Sequence, residues 1–453
     1  MPDSIENALL RLSDGAAARI SLPGDEGYVA ATSLWAKQKD IVPRAVVHCE
    51  SAGDVQAAIR TAREHGLPLS VSGGGHDWAG RALCNGIVID LSHMREVVLG
   101  SDHRSVTIAG GARAVDVTTV TDPAGLAVVA GSVSGVGMAG LTLGGGYGPL
   151  IGRFGLALDN LLAAQVVLAD GRIVRADEQT NADLFWALRG GGGNFGVITA
   201  MRHRVHELPG VHSGLLAYPF AEARAVIDSC AALTASAPDE LTVQIGLVAD
   251  PSGTVAVMLI PTWCGRPEDG EAKLEPFLKL GTLLAGRIER KSYGALLGVF
   301  DPYIVNGLQA VMETCSLPVL DGDCINAFVH AMETAVSPGC AIVTHEFRGA
   351  ASRIAEAETA FGLRRDHVMV EMIATFPDRA DVMDEPLHRH WACSTRQSLA
   401  TALPGAYPNL LGRNDPYRAG RSYGGNAKRL MEIKRRLDPE NVFSSTIPLP
   451  RAV

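Results

Sequence analysis

The sequence predicts an α+β protein in which a glycine-rich first half is interrupted by an antiparallel sheet backed by helices. Three observations carry this expectation. Between residues 43 and 201, short β-branched runs alternate with helical segments and with two glycine clusters. From about 213 to 419 the glycine clusters disappear, and strand-like runs alternate with amphipathic helices, as in sheets with helices on one face. From Tyr423 the run Tyr-Gly-Gly-Asn-Ala-Lys-Arg-Leu430 returns to the chemistry of the first half.

A chain of 453 residues is too long for one core and suits two or three subdomains. With 47% hydrophobic and 20% charged residues it has an ordinary globular composition. A net charge of −9 with no basic stripe argues against a nucleic-acid partner. No apolar run reaches the length of a membrane span. The start, Met-Pro-Asp-Ser-Ile-Glu, lacks the basic and apolar regions of a signal peptide. The eight cysteines are scattered singly with no C-x-x-C pair, which fits small buried residues in a reducing, cytoplasmic compartment. The thirteen histidines show no H-E-x-x-H spacing, so no metal site is expected.

Taken in order, residues 1 to about 40 read as helix and then loop. Pro43 to His48 is a strand. Ser51-Ala-Gly-Asp54 has the form of a capping box, and Val55, Ala58, Ile59 and Ala62 fall on one face of the helix it opens. Gly66 suits the position after the helix end. Pro68 to Ser72 is the next strand, and it delivers the turn Gly73-Gly-Gly-His76. Glycines permit close backbone approach, and successive N–H groups in such a turn form an anion-binding nest. His76 adds a nucleophilic ring nitrogen at its edge.

Gly86 to Leu91 reads as a buried strand, Val97 to Leu99 and Ser105 to Ile108 as a short meander, and Ala112 to Thr121 as a helix. The second glycine cluster runs from Ala130 to Gly148. Within it Gly135-Val-Gly-Met-Ala-Gly140 matches the dinucleotide fingerprint, with Asp159 nearly twenty residues on. That reading needs a helix opening in the motif. Leu-Thr-Leu-Gly-Gly-Gly follows instead, a poor helix former. Leu161 to Leu168 and Ile173-Val174 form a hairpin around Ala169-Asp-Gly171. Ala182 to Arg189 is a short helix ended by glycines, Phe195 to Met201 is a strand, and Pro209-Gly210 marks a boundary. Strands are expected at Leu241 to Leu247, Thr254 to Ile260, Ala341 to Phe347 and Val368 to Phe376. A basic helix follows Tyr423 and stops at Leu437 to Phe443.

These pieces together resemble the flavin-linked oxidases of the p-cresol methylhydroxylase and vanillyl-alcohol oxidase superfamily. The branch indicated is the berberine bridge enzyme-like group, which includes 6-hydroxy-D-nicotine oxidase. The motifs are Ser72-Gly-Gly-Gly-His-Asp77, the spaced glycines Gly131, Gly137, Gly140 and Gly144 to Gly146, the run Asp183 to Gly196, and the stretch Tyr423 to Phe443. The resemblance implies a bipartite PCMH-type FAD-binding domain, residues 1–208 and 420–453, with a substrate domain at 209–419 built on an antiparallel sheet with helices. It places His76 where such proteins attach the flavin covalently, and Gly73, Gly74, Gly75 and Asp77 in the pyrophosphate loop. Gly131, Ser132, Gly135, Gly137, Gly140, Thr142 and Gly144 fall along the isoalloxazine and ribityl region. Phe195, Gly196 and Val197 fall near the adenine, and Asn409 and Asn426 fall where polar contacts reach the flavin.

Departures from the family pattern also carry information. Val133 stands where many relatives have a second, cysteinyl anchor, so His76 is expected to be the sole tether. Ser72 replaces a common arginine. Leu410 occupies the place of a tyrosine base found in plant relatives.

Flavin chemistry asks the protein to position substrate and often to supply a base. Glu371 is the one charged residue in the apolar run Met369 to Phe376. His345 and Glu346 face opposite ways on their strand, so one of them at most shares its face. Tyr147 suits either the flavin site or a core, and Trp391 suits the second domain's core. Val136, between Gly135 and Gly137, occupies a position that controls oxygen access in the resembling oxidases. The expected function is FAD-dependent oxidation of a C–O or C–N bond in a small or medium molecule, with dioxygen as acceptor and hydrogen peroxide as product. A net non-redox or ring-forming flavoprotein and a dehydrogenase that does not use oxygen are the alternatives.

Overall fold

The computed structural model describes residues 19–250, 252–377, 384–413 and 415–450. The expectation of helix and then loop over residues 1 to about 40 falls in part on residues 1–18, which lie outside these. Among the described residues the strands form four sheets.

The first sheet orders Arg19–Ser21, Ala45–His48, Ile87–Asp90 and Leu69–Ser72. Its last three strands run parallel, joined by the helix Ala52–Glu64. Every residue of Ala45–His48 and Ile87–Asp90 is buried, as parallel strands covered on both faces require. The helix starts as its sequence predicts. The Ser51 side chain accepts from Asp54 N–H while Asp54 accepts from Ser51 N–H. The edge strand Arg19–Ser21 departs from the expectation of helix and then loop in this region. At three residues it is too short to show a period, and pairing with Ala45–His48 creates it. His48 pins this corner, with Nε2 2.9 Å from Ser21 Oγ and Nδ1 2.8 Å from Asp90 Oδ2.

The second sheet is antiparallel and orders Val97–Leu99, Ser105–Ala109, Val197–Arg204, Leu161–Val167 and Ile173–Ala176. One local expectation fails here. Residues Met138–Gly144 do form a helix, despite Gly140 and Gly144. Met138, Ala139, Thr142 and Leu143 are buried along it, so tertiary packing overrides the weak propensity of a seven-residue segment. The dinucleotide reading still fails, because the preceding strand, Leu126–Ala127, pairs only antiparallel with His206–Glu207.

The large sheet has eight antiparallel strands, including Leu241–Ala249, Val255–Trp263, Cys340–Phe347, His367–Phe376 and Gln309–Leu317. The sequence gives no strand signal for the last of these. Its charged and polar residues, Glu313 and Thr314, interrupt the apolar alternation. Helices Ala223–Thr234, Gly322–Glu333 and Asp384–Ser398 cover one face. On the strand His367–Phe376, Val370, Met372, Ala374 and Phe376 enter that helix-backed core. Met369 and Ile373 belong to the opposite face, with the first half's residues. Glu371 shares their parity. This opposite face overlies the glycine clusters and closes the site.

The tail packs back onto the first half. Tyr407, Tyr423, Leu430 and Ile447 share a core with Leu143, Phe195 and Ile198. The helix Ala427–Leu437 is locked by Lys434, whose buried ammonium donates to Asn194 O, Phe443 O and Asp438 Oδ2. A buried ammonium with all three donors used avoids the cost of an unpaired charge.

Candidate active site

A cavity of about 410 Å³ lies between the glycine clusters and the open face of the large sheet. The strand Leu69–Ser72 ends at its edge and releases the turn Gly73, Gly74, Gly75, His76 and Asp77, all of which line it. The second glycine cluster meets the first in direct backbone contact. A Cβ on Gly74 would lie 2.3 Å from Gly137 N, and one on Gly137 would lie 2.5 Å from Gly74 N. These two positions therefore admit no side chain. Gly131, Ser132, Val136, Gly137 and Gly140 also line the cavity. At Gly140 an added Cβ would meet no atom within 4 Å, so that wall is bare backbone facing open space.

His76 is half-buried against Trp35, the rings stacked at 5.1 Å between centroids and 25° between planes. Burial lowers its pKa, while Glu371 and Asp77 oppose the shift. The imidazole is thereby biased toward its neutral, nucleophilic form. Asp77 spends its carboxylate on its own turn, accepting from Ala82 N–H at 2.9 Å and from Arg81 Nε at 3.1 Å. Arg81 in turn donates to Asn409 O at 2.6 Å, tying the turn to the tail, and keeps Nη1 buried without a partner.

The sheet contributes the polar wall. The register sets Val343 opposite Glu371 and Met369 opposite His345, so His345 and Glu371 are diagonal neighbours on the cavity face. His345 Nε2 lies 3.2 Å from Glu371 Oε1 and 3.3 Å from Gln244 Nε2. Glu346 points to the other side of its strand, accepts from Val243 N–H at 2.8 Å, and has its pKa raised by burial.

Behind the glycines stands a buried aromatic group. Tyr407 OH accepts from Gly146 N–H at 2.9 Å and from Asn409 Nδ2 at 2.8 Å, and burial raises its pKa to about 12. Tyr147 OH donates to His367 Nε2 at 2.8 Å. The other ring nitrogen of His367 donates to Arg365 O at 2.7 Å, which fixes a neutral imidazole, and burial holds its pKa at about 4.

Of the residues singled out from the sequence, the structure brings Gly73 to Asp77, Gly131, Ser132, Val136, Gly137, Gly140, Gly196, Val197, His345, Glu371 and Asn409 to this cavity. Five others do not line it. Thr142 is buried against His203, 3.5 Å away. Gly144 makes room for the Asn409 amide, which a Cβ there would meet at 2.1 Å. Phe195 is fully buried in the core. Asn426 spends its amide on Glu356 O and Thr359 O, holding the tail rather than facing the cavity. Gly135 lies next to the Gly74–Gly137 contact. Trp391 sits in the helix-backed core, as its sequence context suggests.

The sequence reading missed Trp35, Gln244, Ser445 and Thr446, all of which line the cavity. Gln244 had a usable signal, since it is the one amide in the apolar strand Leu241–Ala249. The others are loop residues with no periodicity to read. The sequence shows no metal motif, yet among the described residues the fold gathers His48, Asp90 and His93 within 4.8 Å of one another.

The glycine cradle, the bare Gly140 wall and the convergence of two backbone loops fit a large planar cofactor with a phosphate tail. The comparisons agree. Residues 43–177 match a family model described as an FAD binding domain, and residues 406–450 match one described as berberine and berberine like. The chain is 30% identical over 441 residues to the FAD-linked oxidoreductase YvdP of Bacillus subtilis, covering 95% of this chain and 98% of that one. The structure of 6-hydroxy-D-nicotine oxidase from Arthrobacter nicotinovorans superposes with a TM-score of 0.86 at 25% identity, covering 96% and 98% of the two chains. Xylooligosaccharide oxidase from Myceliophthora thermophila shares the fold at a TM-score of 0.83 and 22% identity, with 100% of both chains covered.

Proposed function

Because this chain belongs to the FAD-linked oxidoreductases, we propose that it is an oxidase acting on a C–O or C–N bond of a small or medium organic molecule. Dioxygen is the acceptor and hydrogen peroxide the product. The observation that carries this reading is the meeting of Glu371, His345 and Gln244 on one wall with the glycine cradle and His76 on the other.

FAD, when bound, supplies the two-electron acceptor for hydrogen leaving the substrate carbon. The residues of the chain do the rest. Gly73 to Gly75 and the second glycine cluster provide the backbone surface against which the cofactor lies. His76, neutral and stacked under Trp35, is the attachment point for its ring, and Val133 leaves no thiol for a second one. Glu371 accepts the proton from the substrate O–H or N–H as the carbon is oxidised. His345 lies against that carboxylate, and Gln244 contacts His345 in turn. Val136, whose carbonyl accepts from Ala114 N–H at 3.0 Å, presents its side chain from a fixed backbone and sets the room available to dioxygen.

The test is anaerobic mixing of holoenzyme with candidate alcohols and amines, followed by admission of oxygen. Bleaching of the flavin by a substrate, then oxygen uptake with stoichiometric peroxide, supports the oxidase. Bleaching followed by reoxidation only with artificial dyes assigns a dehydrogenase.

A further inference from the structure

The wall facing the glycine cradle is chemically lopsided. Phe300, Ile304, Met312, Val343, Ile373 and Leu410 make it apolar. The polar side chains that the large sheet adds are Gln244, His345 and Glu371, and these are gathered around a single point, His345 Nε2. Asp77, Arg81, Tyr147, Tyr407, Asn409, Ser70 and Ser445 also line the cavity, but their polar groups are spent inside the protein: Asp77 and Arg81 on each other at 3.1 Å and on the turn and the tail, Tyr147 on His367, Tyr407 on Gly146 N–H and the Asn409 amide, and the two serines on the carbonyls of Ala82 and Arg81.

Met312 and Ile373 are paired across neighbouring strands, so that part of the wall is a rigid sheet surface. Trp35, Ala36 and Met312 form a small buried cluster with Trp78, Ile304, Ile373 and Leu410 packed against it. The segment carrying Ile304 is clasped to the first half. Gly307 N–H donates to Leu34 O at 3.0 Å, Lys37 N–H to Leu308 O at 2.8 Å, and Asn306 Nδ2 to Ser33 O at 2.9 Å. The apolar surface is therefore held in place by backbone bonds on both sides.

A sugar carries hydroxyls around its whole ring. Against this wall most of them would lose water without gaining a partner. A molecule with one polar group faces no such cost and gains from apolar contact along the rest of its length.

From this we propose that the substrate is a predominantly apolar, ring-bearing molecule with a single hydroxyl or amino group at the carbon to be oxidised. That group is received by Glu371, His345 and Gln244, and the apolar wall around Met312 and Ile373 excludes saccharides. The inference rests on the oxidase reading for the reaction itself, but it concerns binding and is testable apart from turnover.

The experiment titrates anaerobic holoenzyme with an aryl alcohol series, an arylalkyl amine series and xylobiose. The flavin spectrum reports both binding, as a shift, and reduction, as bleaching. Aryl ligands are expected to shift or bleach the spectrum at concentrations at least about 100-fold below any response to xylobiose. Ile373→Asn should weaken the aryl response about tenfold or more by placing an unmatched amide in the wall. The two aryl series distinguish a hydroxyl from an amino group at the polar end. A xylobiose response at comparable concentration, or no response to any aryl ligand, overturns the inference. Aryl ligands that shift the spectrum without ever bleaching it uphold the substrate class and instead remove the oxidase reading.

Discussion

His345 Nε2 lies 3.2 Å from Glu371 Oε1, across the diagonal of two adjacent strands. The sequence singles out Glu371 on its strand and leaves either His345 or Glu346 to share its face. In the fold His345 and Glu371 are one unit, with Gln244 as its third member. Glu371→Gln keeps the shape and removes the base, so flavin reduction by substrate should slow by roughly 10²–10⁴-fold with reoxidation unaffected. Because the pair acts together, His345→Asn combined with Glu371→Gln should cost less than the sum of the two single changes. Stopped-flow reduction of the three variants checks this, and additive losses would separate the residues again.

His76 sits half-buried in the first glycine turn, and Val133, which carries no thiol, lines the same cavity. Acid precipitation of the wild type should leave the yellow colour in the pellet, and His76→Ala should release it. Without added FAD, the variant should also melt at a lower temperature, since occupancy then depends on free cofactor. Peptide mass spectrometry should find flavin on His76 and on no cysteine. Colour released from the denatured wild type would end the covalent assignment.

Val136 presents one side chain to the cavity from a backbone held by Ala114. Val136→Leu adds a methylene to a close-packed site. Reduction by substrate should stay near wild type, while reoxidation by dioxygen should slow by about tenfold or more and dyes should still accept electrons. Stopped-flow reoxidation at several oxygen concentrations measures it. An unaltered rate would remove Val136 from oxygen control.

Arg364 grips Asp159 through two bonds, Nη2 to Oδ1 at 2.7 Å and Nη1 to Oδ2 at 2.9 Å, and both side chains are nearly inaccessible, at 3% and 4%. This pair joins the segment before the strand His367–Phe376 to the start of the strand Leu161–Val167. Arg364→Met strands a buried carboxylate and should destabilise the protein by about 3–5 kcal/mol. Adding Asp159→Asn should restore part of that. Denaturant unfolding of the two variants gives the answer, and a loss below about 1 kcal/mol would show the pair to be dispensable.

His203 and His367 are both buried, with pKa values of about 4. The folded state keeps them neutral where the unfolded chain, with an ordinary value near 6.5, takes up protons. Their contribution is therefore complete above about pH 6.5 and declines as pH falls toward 4, by up to about 1.4 kcal/mol per pH unit for each histidine. Urea unfolding across pH 4 to 7 should show this slope, and His203→Asn should reduce it by about one proton. A flat profile in that window would contradict the burial of both rings.

Local chemistry in the sequence determined a good deal. The capping box at Ser51 and Asp54, the glycine turn before His76, the strand Met369 to Phe376 with its lone glutamate, and the tail helix all follow from spacing and residue type. Each depends on interactions within about ten residues, which a single chain displays directly. Glycine runs also announce where backbone must come close, because no other residue fits there.

What the sequence could not show was set by contacts between distant segments. The helix Met138–Gly144 forms against local propensity because burial of Met138, Ala139, Thr142 and Leu143 outweighs it. The resemblance implies a cofactor contact for Asn426. Its amide instead meets the carbonyls of Glu356 and Thr359, some 70 residues away in sequence, so its role is decided by where another loop happens to end. The pairing of His345 with Glu371 depends on strand register, since a shift of one residue would send one of them into the helix-backed core. Residue types and spacing therefore determined which groups were available, and the register of the large sheet over the two glycine clusters decided which of them meet.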